Sequence, residues 1–246
     1  MTQADVCRVY EQESMRQVLG DTLRPGGLAL TVRALDFCAL PAGAKVLDVG
    51  CGAGATVQLL RDHGCWAGGL DLSAVLLQSG RQGSPRLPFV QADGVRLPLV
   101  DGQLDAILAE CSLSILAEVE TALAEFNRLL RPGGYLIISD IYARNPAGLA
   151  ALRELPLDSC LKGAFNRPEL AAQLAGDGFE LVMWEDHSEV LKHLAGQLAM
   201  THGSLAEFWR KGTGSSLDAW DVQLAMARAK PGYFLLIARK GRPADG

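Results

Sequence analysis

The sequence has no Cys-x-x-Cys pair, no run of basic residues, no Gly/Ser- or Pro-rich linker and no apolar stretch of the ~20 residues needed to cross a bilayer. Each absence excludes something. The six cysteines, at positions 7, 38, 51, 65, 111 and 160, are scattered singly, so no metal site is expected and most read as small buried hydrophobes. A net charge of -5, with 23 basic and 28 acidic residues scattered along the chain, leaves nothing to track phosphates and argues against nucleic acid as a partner. The opening Met-Thr-Gln-Ala-Asp-Val-Cys lacks the basic and apolar regions of a signal peptide. The expectation is a cytoplasmic protein with no membrane partner. Without a linker, the 246 residues read as one domain.

What is present is an alternation of strand-like and helix-like patterns, the mark of βαβ units and a parallel sheet. Lys45–Val49 reads as a strand running into glycines, 55–63 as a helix, Trp66–Leu70 as a second strand, and Ser73 as the cap of the next helix. Further strands are expected at 89–92, 104–109, 135–139, 179–185 and 233–238, with helices at 118–130 and 168–175. The helix before the fifth strand is expected to stop at Arg131-Pro132-Gly133-Gly134. Residues 1–40 read as an N-terminal helical cap, 41–142 as a ligand-binding core, and 188–230 as an amphipathic helical insertion between the last two strands. Leu-Arg-Pro-Gly-Gly occurs at 23–27 and again at 130–134, in different surroundings, and reads as a chance recurrence.

Gly50-Cys51-Gly52-Ala53-Gly54 stands between a strand and a helix, where glycines permit positive φ and remove the Cβ that would strike a ligand. The helix behind it offers free N–H groups and a partial positive charge. Gly50-x-Gly52-x-x-Ala55 also satisfies the dinucleotide pattern, so a nicotinamide cofactor has to be weighed. Three successive strand ends carry carboxylates. Asp48 would repel a pyrophosphate and suits a cationic amino group. Asp71 suits two ribose hydroxyls with either cofactor, and Asp93 suits an adenine amino group. Singly, each also fits a helix cap or a solvated strand end.

Val46-Leu47-Asp48-Val49-Gly50-Cys51-Gly52-Ala53-Gly54, Gly69-Leu70-Asp71-Leu72-Ser73, Gln91-Ala92-Asp93 and Leu129-Leu130-Arg131-Pro132-Gly133-Gly134-Tyr135-Leu136 resemble, in order, the motifs of the class I S-adenosylmethionine-dependent methyltransferases. The resemblance implies a Rossmann-like α/β fold: a seven-stranded, mostly parallel sheet with helices on both faces and the last strand antiparallel. It also implies S-adenosyl-L-methionine as cofactor, with S-adenosyl-L-homocysteine as product. The implied cofactor contacts are Asp48, Gly50, Cys51, Gly52, Gly54, Asp71, Leu72, Ala92, Asp93, Gly94 and Glu110.

The acceptor is less legible. A small molecule is expected, and the candidates to act on it are Tyr10, Cys111 and Cys160. Tyr10 would cover the cofactor or orient an acceptor, or else simply pack. Cys111-Ser112-Leu113-Ser114, Ser139-Asp140-Ile141-Tyr142-Ala143 and Ser159-Cys160-Leu161-Lys162-Gly163-Ala164 are locally similar to arsenite methyltransferases. That alternative would use Cys111 and Cys160 on arsenite or a thiol. It departs from the pattern in having no cysteine after Cys160 and only Cys7 and Cys38 toward the N-terminus. His187, His193 and His202 are weighed as bases against plain surface pairs. Trp184, Trp209, Trp220, Phe208 and Met200 are weighed as an acceptor pocket against ordinary core. A small-molecule methyltransferase, a non-catalytic S-adenosylmethionine-binding protein and a nicotinamide oxidoreductase all stay open, the last disfavoured by Asp48.

Overall fold

The computed structural model describes residues 10–12, 20–156, 159–213 and 218–242. Strands β1 (Lys45–Val49), β2 (Trp66–Asp71), β3 (Phe89–Gln91), β4 (Leu104–Glu110), β5 (Leu130–Ala143), β6 (Phe179–Asp186) and β7 (Pro231–Lys240) form one seven-stranded sheet in the order β3-β2-β1-β4-β5-β7-β6. The pairs among β1 to β5 are parallel, and β7 runs antiparallel to both β5 and β6. The chain moves outward from β1 to β3 and then returns to β4 on the other side of β1. The crevice at the carboxyl ends of β1 and β4 is therefore the topological switch point, where open α/β sheets bind ligands.

The pleat sorts the strand residues between two layers. On one face Leu47, Val49, Ile107, Leu136, Ile138 and Leu236 pack against helices α4 (Val119–Leu129) and α6 (Arg167–Gly176). On the other Val46, Leu108, Ile137, Leu235 and Ile237 pack against α1 (Ala29–Cys38), α2 (Ala55–Asp62) and α3 (Ala74–Gly83). A third cluster sits beyond the carboxyl end of β5, where Ile141 and Tyr233 meet α5 (Leu149–Arg153), α7 (Ser188–His202), α8 (Leu205–Thr213) and α9 (Ala219–Ala229). Helices α7 to α9 lie between β6 and β7.

The fifth strand differs from expectation at both ends. It begins at Leu130, directly after α4, because the Arg131–Gly134 turn is absorbed as an irregularity between the Leu104↔Leu130 and Ala106↔Tyr135 pairs. It continues to Ala143 because β7 pairs beside it as far as Pro231. The two Leu-Arg-Pro-Gly-Gly segments also part company. Arg131 pairs with Asp105 and is half-exposed, whereas Arg24 is buried.

Candidate functional site

The loop after β1 is built around close approach. Gly50 and Cys51 both donate N–H bonds to the Leu70 carbonyl, at 2.8 and 2.9 Å. Gly50 has φ +77°, and a Cβ there would stand 2.4 Å from that of Ser112. Gly52 has φ +54° and faces open space, with only Leu23 Cδ1 within 4 Å of where a Cβ would sit. Gly54 has a different task. It caps α2 in the left-handed region, and a Cβ would strike the Phe89 ring at 2.3 Å.

Asp71 closes the loop from the end of β2. Its Oδ2 accepts the Gly52 N–H and its Oδ1 the Ser73 N–H, each at 2.8 Å. Each oxygen keeps a lone pair. Burial raises its pKa, and those N–H bonds pull the other way. Ser73 caps α3 by accepting from Leu76 N and donates to Glu11 Oε1 at 2.6 Å, which fastens the N-terminal segment beside the loop.

Three cavities follow one another along this edge. A slot of about 360 Å³ is walled by Leu70, Asp71, Leu72, Ala92, Gly94, Ser112, Ile115 and Leu116. A central cavity of about 610 Å³ shares Gly50, Asp71, Ser112 and Ile115 with it and adds Tyr10, Leu23, Arg24, Cys51, Gly52, Glu110 and Cys111. A third, of about 670 Å³, shares Tyr10, Leu23 and Cys111 with the central one and extends under α7 to α9, against Leu194, Leu198, Phe208, Trp209 and Met226.

Beneath the central cavity lies a polar network. Arg24 Nη2 is 3.0 Å from Glu110 Oε2 and donates to the hydroxyls of Thr31 and Thr56, at 2.7 and 3.0 Å. Those hydroxyls donate in turn to Glu110 Oε1 and Oε2, at 2.8 and 2.9 Å. Burial by itself would lower the Arg24 pKa, but Glu110 reverses this and the guanidinium stays charged. Arg24 Nη1 carries no hydrogen bond among the described residues.

The structure thus separates the expected contacts. Gly50, Cys51, Gly52, Asp71, Leu72, Ala92, Gly94 and Glu110 line the first two cavities. Asp48 does not. It is buried below the loop, where desolvation and the nearby Glu110 push its pKa well up, so it presents no exposed anion to an amino group. Asp93 is also off the slot wall, its Oδ1 accepting from Val95 N at 3.3 Å, and Gly54 serves the helix start. Glu110 lines the cavity with both oxygens already engaged by Arg24, Thr31 and Thr56. Arg24, Thr31 and Thr56 had no signal in the sequence beyond the Leu-Arg-Pro-Gly-Gly recurrence.

Tyr10, Cys111 and Cys160 come together on the third cavity. Burial pushes the Cys160 thiol up to about 12 and that of Cys111 well above its usual range, so both stay protonated. Cys7 lies outside the described residues, and Cys38 is buried in the core on α1. Among the described residues no three His, Cys, Asp or Glu side chains are placed to hold a metal ion. Of the aromatic candidates, Phe208 and Trp209 line the cavity. Trp184 stacks on Phe234 at 4.4 Å, while Trp220 and Met200 are 68% and 90% exposed. His187 pairs with Glu185 at 3.0 Å, and none of His187, His193 and His202 is on the wall of these cavities.

A family described as a methyltransferase domain matches residues 47–138, from inside β1 to inside β5. The demethylmenaquinone methyltransferase of Beutenbergia cavernae is 33% identical over 171 residues, which are 67% of this chain and 71% of that one. The chain belongs to the class I S-adenosylmethionine-dependent methyltransferases. The malonyl-[acyl-carrier protein] O-methyltransferase of Enterobacter lignolyticus is 37% identical over 100 residues, covering 41% of this methyltransferase and only 40% of that enzyme. Among solved structures, the [4+2]-cyclase SpnF has a TM-score of 0.67 at 27% identity, over 86% of this chain and 81% of its own. The cofactor is S-adenosylmethionine, and the open face of Gly52 beside the spare lone pairs of Asp71 fits it. The nicotinamide reading falls with this assignment. Among the described residues no helix is long and apolar enough to cross a membrane.

Proposed function

We propose that this methyltransferase passes the methyl group of S-adenosylmethionine to an apolar small molecule seated under α7 to α9. The observation that carries the reading is the shared wall: Tyr10, Leu23 and Cys111 border both the polar central cavity and the apolar third one. A methyl donor in the first and an acceptor in the second would meet there.

The cofactor supplies an electrophilic methyl group on a sulfonium. Leu72, Ala92, Gly94, Ile115 and Leu116 would flank its adenine, and Asp71 would accept from its ribose hydroxyls. Arg24 and the backbone of the Gly50–Gly52 loop would face its amino-acid end, with Glu110 holding the guanidinium in place. The helix start at α2 adds a partial positive charge near that end. The third cavity is lined mostly by apolar side chains, with Tyr10, Cys111, Cys160 and Trp209 carrying hydrogen-bonding groups, so it desolvates an apolar acceptor and fixes its approach. In an in-line displacement that positioning supplies much of the acceleration.

The experiment is incubation of the protein with tritium-methyl-labelled S-adenosylmethionine and a panel of apolar and polar small molecules. Label moving into organic-extractable product with apolar acceptors, and not with polar ones, is the expected result. Label passing only to polar acceptors would overturn the proposal.

A further inference from the structure

Two polar side chains of the apolar cavity, Tyr10 and Cys111, stand where it meets the cofactor cavity, and they are unequally committed. Cys111 Sγ lies 3.2 Å from Tyr233 Oη, which in turn donates to Ser139 Oγ at 3.2 Å. Tyr10 is 9% exposed and lies on both walls. Its hydroxyl accepts the Cys160 N–H at 3.2 Å, which fixes the ring, and donates to no protein acceptor among the described residues. Burial keeps both the phenol and the thiol protonated. The Tyr10 O–H therefore keeps its donor for whatever occupies the cavity.

We infer that Tyr10 donates a hydrogen bond to an oxygen on the methyl acceptor. The acceptor is then an apolar molecule carrying a phenol, enol, alcohol or carbonyl oxygen at the end nearest the cofactor, with its carbon skeleton under α7 to α9. This rests on the apolar-acceptor reading above and adds to it which group orients the molecule. In a site so poor in water, one donor of fixed direction selects for the oxygen and for its placement.

The test is titration of the protein loaded with S-adenosylhomocysteine, using 4-pentylphenol, 4-pentylanisole and pentylbenzene. The two oxygenated probes should bind roughly 5- to 10-fold tighter than pentylbenzene. Tyr10→Phe should abolish that preference while leaving pentylbenzene and S-adenosylhomocysteine affinities within about twofold, which a merely structural role would not do. Cys160→Ala keeps the backbone N–H that fixes the Tyr10 hydroxyl, so it should retain the preference. A preference that survives Tyr10→Phe, vanishes in Cys160→Ala, or holds for the phenol but not the anisole would overturn the inference. Failure of all three probes to bind while S-adenosylhomocysteine still does would instead overturn the apolar-acceptor reading, and the inference with it.

Discussion

Arg24 and Glu110 meet at 3.0 Å beneath the glycine loop, with side chains only 7% and 1% exposed. Two charges taken this far from water are held by each other and by Thr31 and Thr56, and removing one partner leaves the other stranded. Arg24→Met or Glu110→Gln alone is expected to cost about 3–5 kcal/mol in urea unfolding. The double variant should lose clearly less than the sum. Strict additivity would show that the pair is not coupled.

Asp71 is the one carboxylate of the three strand ends whose oxygens both line the cofactor edge and support the loop. Asp71→Ala should weaken S-adenosylhomocysteine binding by about 1–3 kcal/mol, since the Gly52 N–H and, on the proposed placement, two ribose hydroxyls would lose their acceptor. Calorimetric titration reads this directly, and unchanged affinity in a folded variant would remove Asp71 from the cofactor site.

Leu194 on α7 lines the apolar cavity and is absent from the two cofactor cavities. Leu194→Trp should fill acceptor space and raise the acceptor KM at least about tenfold, a loss comparable to one misplaced apolar contact of 1.4 kcal/mol or more. Affinity for S-adenosylhomocysteine should stay the same. A loss shared by both ligands would place this helix at the cofactor instead.

Asp140 is wholly buried, and burial pushes its pKa up to about 6, against hydrogen bonds from Ser114 and Ile141. An unfolded aspartate titrates near 3.9, so the folded chain keeps a proton that the unfolded chain releases as pH rises above about 4. The stability this contributes is complete below about pH 4 and is lost as pH climbs through about 6. Between pH 5 and 7.5 the loss should be about 1–2 kcal/mol by linkage. Asp140→Asn cannot titrate there. Urea unfolding of the two proteins at both pH values should therefore show the wild type losing stability relative to the variant as pH rises, and parallel behaviour would refute the assignment.

Much of the frame was legible in the chain because it is written in short-range pattern. The strand of β1, the glycines behind it, the Ser73 cap and Asp71 at the end of β2 each depend on a few neighbouring residues, through φ, the pleat and the cap hydrogen bond. The order of motifs along the chain then sufficed for the parallel sheet and for the reversed last strand.

Other features depended on residues far apart in sequence. Asp48 and Glu110 look like twin carboxylates facing a ligand, yet Asp48 lies buried below the loop and Glu110 is spoken for by Arg24, Thr31 and Thr56. Arg24 and Arg131 share the same five-residue context and end in opposite environments, one buried at the site and one half-exposed on Asp105. Among the aromatics, only packing separates Trp209 in the cavity wall from Trp220 at 68% exposure. The sequence by itself determined the fold and the glycine loop at the sheet edge, because those follow from local backbone geometry repeated in order. Tertiary structure alone decided which charges are buried together and which side chains enclose the acceptor, because desolvation and contact belong to whatever the fold brings alongside.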